Sequence, residues 1–116
     1  MTNVDQLVIA AIDAGVPFKS NGREVFVWLD RITVKLHGKD IASVLFDKGE
    51  LVLAGDIPVS RKSAKVLNAL LTHYTACTIL SKKGEWNLRL KSGCVIPTGG
   101  RNLSIPMTYN KPTNNI

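Results

Sequence analysis

The chain has 116 residues, 45% of them hydrophobic and 21% charged, with a net charge of +6. That length implies one domain with room for a real core, and that composition excludes wholesale disorder. The charge is uneven: residues 1–56 hold six Lys or Arg against eight Asp or Glu, whereas residues 57–116 hold nine against Glu85 alone.

The opening stretch MTNVDQLVIAAIDAG predicts a helix. Asn3 can cap it with Gln6 three residues on, as in a capping box, and Val4, Leu7, Val8, Ala11 and Ile12 share one face. Gly15 supplies the stop and Pro17 forbids continuation. The stretch has no basic lead and is interrupted by Asp13. No apolar run nears the ~20 residues that span a bilayer, so neither a targeting peptide nor a membrane partner is expected.

Strand signals follow. Val16–Lys19 is short, Ser20-Asn21-Gly22 is a hairpin turn, and Arg23–Leu29 is a longer strand. Phe26 and Trp28 alternate there with Val25, Val27 and Leu29, so both faces of that strand are expected to be covered. Ile32–Leu36, a turn at Gly38-Lys39-Asp40, Ile41–Phe46, a turn at Asp47-Lys48-Gly49, and Glu50–Ala54 continue the pattern.

A second helix is predicted from Ser60 to about His73 or Tyr74, burying Ala64, Leu67, Leu70, Leu71 and Tyr74. Thr75–Leu80 and Glu85–Leu90 make a hairpin across Ser81-Lys82-Lys83-Gly84. In its second strand Trp86, Leu88 and Leu90 face inward and Glu85, Asn87, Arg89 and Lys91 outward. Cys94–Ile96 and Asn102–Ile105 are short strands around Pro97-Thr98-Gly99-Gly100. The expected fold is α+β, with antiparallel sheet of about 7–9 short strands and two helices, in the order α-β-β-β-β-β-α-β-β with short strands after. The repeated helix–hairpin pattern, matching Val8, Ala11 and Ile12 to Val66, Ala69 and Leu70, suggests an internal duplication. Residues 1–106 form the expected single domain, and 107–116 (MTYNKPTNNI) an aperiodic, loosely held tail.

The stretches LHGKDIASVL (36–45), SRKSAKVLNALL (60–71) and KKGEWNL (82–88), with the turn at 47–49, resemble a family of small proteins of tailed bacteriophages. The pattern is a Leu-His pair entering a strand, a Ser and basic helix start leading to Leu-Asn, and a Gly-x-Trp hairpin strand. Where the family pattern has a basic residue before the Leu-Asn, this chain has Val66. The resemblance implies a phage accessory or early protein acting in the cytoplasm of the host bacterium, and it implies no activity.

Chemistry is thinly represented. Cys77 and Cys94 suit neither a disulfide framework nor a zinc site and read as free thiols. No motif sets either beside His37, His73, Asp40 or Asp56, so no catalytic centre, metal or cofactor is expected. His37 reads as a strand-end residue and His73 as a partner of the helix dipole. A nuclease would need acidic metal ligands, which the basic half lacks apart from Glu85.

The start of the second helix is different. Ser60 is a good cap, yet Arg61 and Lys62 occupy the first turn and Lys65 follows, where cations oppose the helix dipole by about 0.3–1 kcal/mol each. Ser60, Arg61, Lys62, Ser63 and Lys65 together suit a phosphate. Lys82, Lys83, Arg89, Lys91 and Arg101 extend them into a candidate stripe. The expected partner is therefore the phosphate backbone of DNA or RNA, gripped with little base specificity. The alternative is a host-directed inhibitor that binds an acidic surface of a bacterial protein.

Overall fold

Two runs at helical spacing and nine at strand spacing resolve into elements in a computed structural model that describes residues 3–108. These are α1 (Val4–Ala14), β1 (Phe18–Ser20), β2 (Arg23–Val27), β3 (Ile32–Leu36), β4 (Lys39–Leu45), β5 (Glu50–Leu53), α2 (Arg61–Tyr74), β6 (Thr78–Lys82), β7 (Glu85–Arg89), β8 (Val95–Pro97) and β9 (Leu103–Pro106). The fold is α+β, as the sequence indicates. Strands β1 to β5 form an antiparallel meander, and β9 returns to pair with β5. Strands β6, β7 and β8 make a separate antiparallel sheet.

Local chemistry sets the boundaries. Asn3 Oδ1 accepts from the Gln6 amide at 2.9 Å, and Gly15 ends α1 in the left-handed region at φ 69. Three hairpins turn on two residues with positive φ at both: Asn21-Gly22, His37-Gly38 and Lys83-Gly84. That is the type I′ geometry that matches strand twist. The second of these corrects the expected turn at Gly38-Lys39-Asp40: Lys39 and Asp40 already belong to β4. A register shift after Val34 then lets the neighbours Ile41 and Ala42 both be buried, as a bulge allows.

Helix α1 packs on β1, β2 and α2, and α2 packs on β6. One core joins both sheets: Ile12 from α1, Leu67, Leu71 and Tyr74 from α2, Val34, Val44 and Leu51 from the large sheet, and Ile79, Trp86 and Leu88 from the small one. Covered from two sides, α2 buries Ser63 and Val66 as well as the expected stripe, while Ala64 is half-buried. In α1 the expected Leu7 is exposed and Asp5 is buried, because Arg23 faces inward from β2 and its Nε lies 3.1 Å from Asp5 Oδ1. Asp13 joins the helices: it accepts from the Tyr74 hydroxyl at 2.7 Å and pairs with His73 Nε2 at 2.9 Å. Asn87, expected outside, is buried because β7 is the middle strand of its sheet.

Past β9, the Met107 and Thr108 amides donate to the Gly49 and Tyr74 carbonyls at 2.8 and 2.9 Å. The rest of the expected tail, 109–116, lies outside the described residues.

Candidate nucleic-acid interface

At the start of α2, Ser60 is the N-cap in extended backbone. Its Oγ accepts from the Ser63 amide at 3.1 Å, and its hydroxyl donates to Ser63 Oγ at 2.9 Å. Ser63 is buried, so the two serines serve the helix and each other. Arg61, Lys62 and Lys65 are exposed, and no acidic residue lies in the first turn. This end of the helix offers cations and the outward amides of its first turn, a combination that attracts phosphate.

The hairpin supplies the second group. Lys82 faces Glu85 across the ladder, and Arg89 faces Thr78 and Val95, so Lys82 and Arg89 share the outer face of the small sheet. Lys83 occupies the left-handed turn position at φ 53. Lys91 lies in the loop after β7, which is closed by the Leu90 amide on the Cys94 carbonyl at 2.8 Å.

Two contacts draw part of this set together. The Trp86 indole N–H donates to the Ile57 carbonyl at 2.8 Å, tying the hairpin to the segment that leads into α2. The Gly55 amide donates to Asn102 Oδ1 at 2.8 Å, and a Cβ at Gly55 would stand 2.3 Å from the Gly100 carbonyl oxygen. The Gly99-Gly100-Arg101 turn is thereby pressed onto the same segment. Arg61, Lys62, Lys83 and Arg101 thus flank one neighbourhood, while Lys82 lies on the face of the hairpin opposite Trp86. Arg89 and Lys91 lie at the far end of β7, and Lys65 lines a groove between α1 and α2 with Gln6 and His73.

The electrostatic contrast between the halves is sharp. Asp5, Asp13, Asp40 and Asp56 pair with Arg23, His73, Lys35 and Lys39 respectively. The Lys39 side chain, by its hydrogen bond, holds the exposed Asp56 carboxyl below its usual range. The eight described cations of the second half (Arg61, Lys62, Lys65, Lys82, Lys83, Arg89, Lys91 and Arg101) are all exposed, and none forms a salt bridge among the described residues.

One expectation fails on the large sheet. Its outer face carries no helix, so Phe26 is only half-buried and Trp28 is 54% exposed. The rings stack at 6.3 Å with Lys35 Nζ 5.0 Å from the Phe26 centroid, and the Trp28 indole donates to Thr33 Oγ1 at 3.1 Å. Trp28 and Leu29 lie beyond the end of β2, and Leu29 is fully exposed. Sequence alternation alone could not distinguish a covered face from an open one.

His37 sits in its turn at φ 52, and its ring fills the space that a Cβ at Gly22 would need. Cys77 is half-buried and Cys94 exposed, both unpaired. Among the described residues no three His, Cys, Asp or Glu side chains gather as a metal site would require, and no helix is long and apolar enough to cross a membrane.

A family model described as Kyanoviridae Gp96 protein matches residues 1–104, wider than the stretch 36–90 that carries the phage resemblance. Nothing among curated proteins or solved structures matches the chain.

Proposed function

The chain belongs to the Kyanoviridae Gp96 protein family, a family of phage proteins, and from that premise we propose a non-enzymatic accessory protein that grips the phosphate backbone of DNA or RNA. The observation that supports this most is that the eight second-half cations among the described residues are all exposed and form no salt bridge there. Three of them stand where local energetics disfavour them. Arg61 and Lys62 oppose the dipole of α2, and Lys83 holds a left-handed backbone that Asn or Gly adopts more easily. A merely solvated surface has no reason to keep cations at such places, whereas a phosphate surface does. The contacts carry no base readout, so affinity should depend on charge rather than sequence. Fluorescence anisotropy with labelled random-sequence DNA and RNA tests it. Binding should fall along a straight log–log line with salt and ignore chelators; a chain that binds neither polymer at low salt refutes it.

One observation favours a second reading, a host-directed inhibitor that docks on a bacterial protein. Val27, Trp28 and Leu29 form an exposed apolar tip, which a phosphate surface does not need. Capture of one host protein from lysate, unchanged by nuclease treatment, is the result that distinguishes this reading from the first.

A further inference from the structure

Beyond a surface that attracts phosphate, the same region contains an open cleft of about 460 Å³, between the β6–β7 turn, the segment entering α2 and the Gly99–Gly100 turn. We infer that this cleft seats one nucleotide of a single strand, with the base or sugar against Pro58 and Val59 and the phosphates at its cationic rim.

Three observations converge on a nucleotide. The first is chemical: Pro58 and Val59, both exposed, give the lining an apolar part over the buried Ile57 and Trp86, which a bare phosphate contact would not use. The second is steric. Gly84 and Gly99 in the lining have open space where a Cβ would stand, so a ligand can approach the main chain closely. The third is charge. Each lining segment runs within two residues into a cation: Gly84 into Lys83, Gly100 into Arg101, and Val59 into Arg61. Cations arriving from three separate elements around an amphipathic cleft match a phosphodiester chain with an unstacked base. The volume falls in the range of about 300–1,000 Å³ typical of small-ligand clefts, which admits a nucleotide and not a base-paired helix.

Glu85 is the exception, an exposed carboxylate in the lining and the one acidic residue of the second half. Opposite Lys82 in the ladder, it offsets that cation and moderates binding.

This inference rests on the phosphate-binding reading, and the experiment separates the two. Short labelled oligo-dT, oligo-U and a duplex of equal length are titrated against the full chain, followed by anisotropy. Val59→Trp adds bulk at an exposed lining position, and Gly99→Asn adds a side chain at a left-handed position that asparagine tolerates. Each should weaken binding of both single strands roughly tenfold by blocking the apolar and main-chain contacts of the cleft, and leave duplex binding and the thermal midpoint unchanged. Glu85→Gln should tighten single-strand binding. If Val59→Trp lowers the midpoint, Gly99→Asn decides. Single-strand binding unaffected in a folded Gly99→Asn variant overturns the cleft and leaves the phosphate reading standing. A parent chain that binds none of the three polymers overturns both.

Discussion

Asn68 holds Ile79 as a neighbouring strand would. Its Nδ2 donates to the Ile79 carbonyl at 3.0 Å, and its Oδ1 accepts from the Ile79 amide at 2.7 Å. Those two backbone groups point away from β7, along an edge that would otherwise be open. One side chain thus completes the edge of β6 and fixes the small sheet on α2, the element whose start carries the first basic group.

Asn68→Leu should therefore destabilise the fold by about 1–3 kcal/mol, because it leaves the amide and carbonyl of a buried residue without partners. A urea midpoint that falls at unchanged slope is the expected readout. A change within about 0.5 kcal/mol would show that water replaces the side chain at no penalty.

The buried Asp5–Arg23 pair makes a different prediction. Removing one partner leaves the other charge stranded, so Asp5→Ala should cost about 3–5 kcal/mol. The double change Asp5→Leu with Arg23→Met removes both charges and fills the space, and should be closer to the parent than the single variant. Chemical denaturation of the three proteins tests this. A double variant as weak as the single one would show that the pair's hydrogen bonds, including Arg23 to the Asn21 carbonyl, matter more than its charges.

These two relationships also mark what was legible in the sequence. Caps at Asn3 and Ser60, the Gly15 stop and the Asn21-Gly22 turn follow local rules, and they stand where those rules put them. Asp5 and Asn87 were unreadable because their burial depends on partners distant in the chain or on position within a sheet. Trp28 failed for a related reason: alternation says which residues share a face but not what covers it. Of the basic residues, the outward placement of Arg61, Lys62 and Lys65 was legible from helix spacing. That Ser63 turns inward, and that Gly55 draws Arg101 toward α2, was not. The resemblance to phage proteins had a structural content too: its Leu-Asn and Gly-x-Trp signatures include Asn68, which completes β6, and Trp86, which anchors the hairpin.

Lys83→Asn separates folding from binding at one position. Asparagine adopts the left-handed conformation of a type I′ turn more readily than lysine, so the variant should gain a fraction of the about 1–2 kcal/mol that this conformation costs. It also loses one cation beside the cleft, so its salt slope for nucleic acid should flatten by up to about 0.9. Higher stability with weaker binding is the expected pair of results. Higher stability with unchanged binding would remove Lys83 from the contact surface.

The start of α2 gives the most direct separation. Changing Arg61, Lys62 and Lys65 together to Glu places two carboxylates in the first turn, where the helix dipole favours them by about 0.3–1 kcal/mol each. All three parent side chains are exposed and none forms a salt bridge among the described residues, so no packing is lost. The thermal midpoint should stay level or rise. Binding should respond in the opposite sense, because three cations become three anions, two of them at the proposed contact surface and the third in the groove beside α1. Affinity for DNA and RNA at low salt should drop by orders of magnitude, and the salt slope should flatten by about 0.7–0.9 for each phosphate contact removed. A triple variant that binds both polymers like the parent would make the basic start of α2 an ordinary solvated helix end. The proposed phosphate contact would then have lost its strongest group.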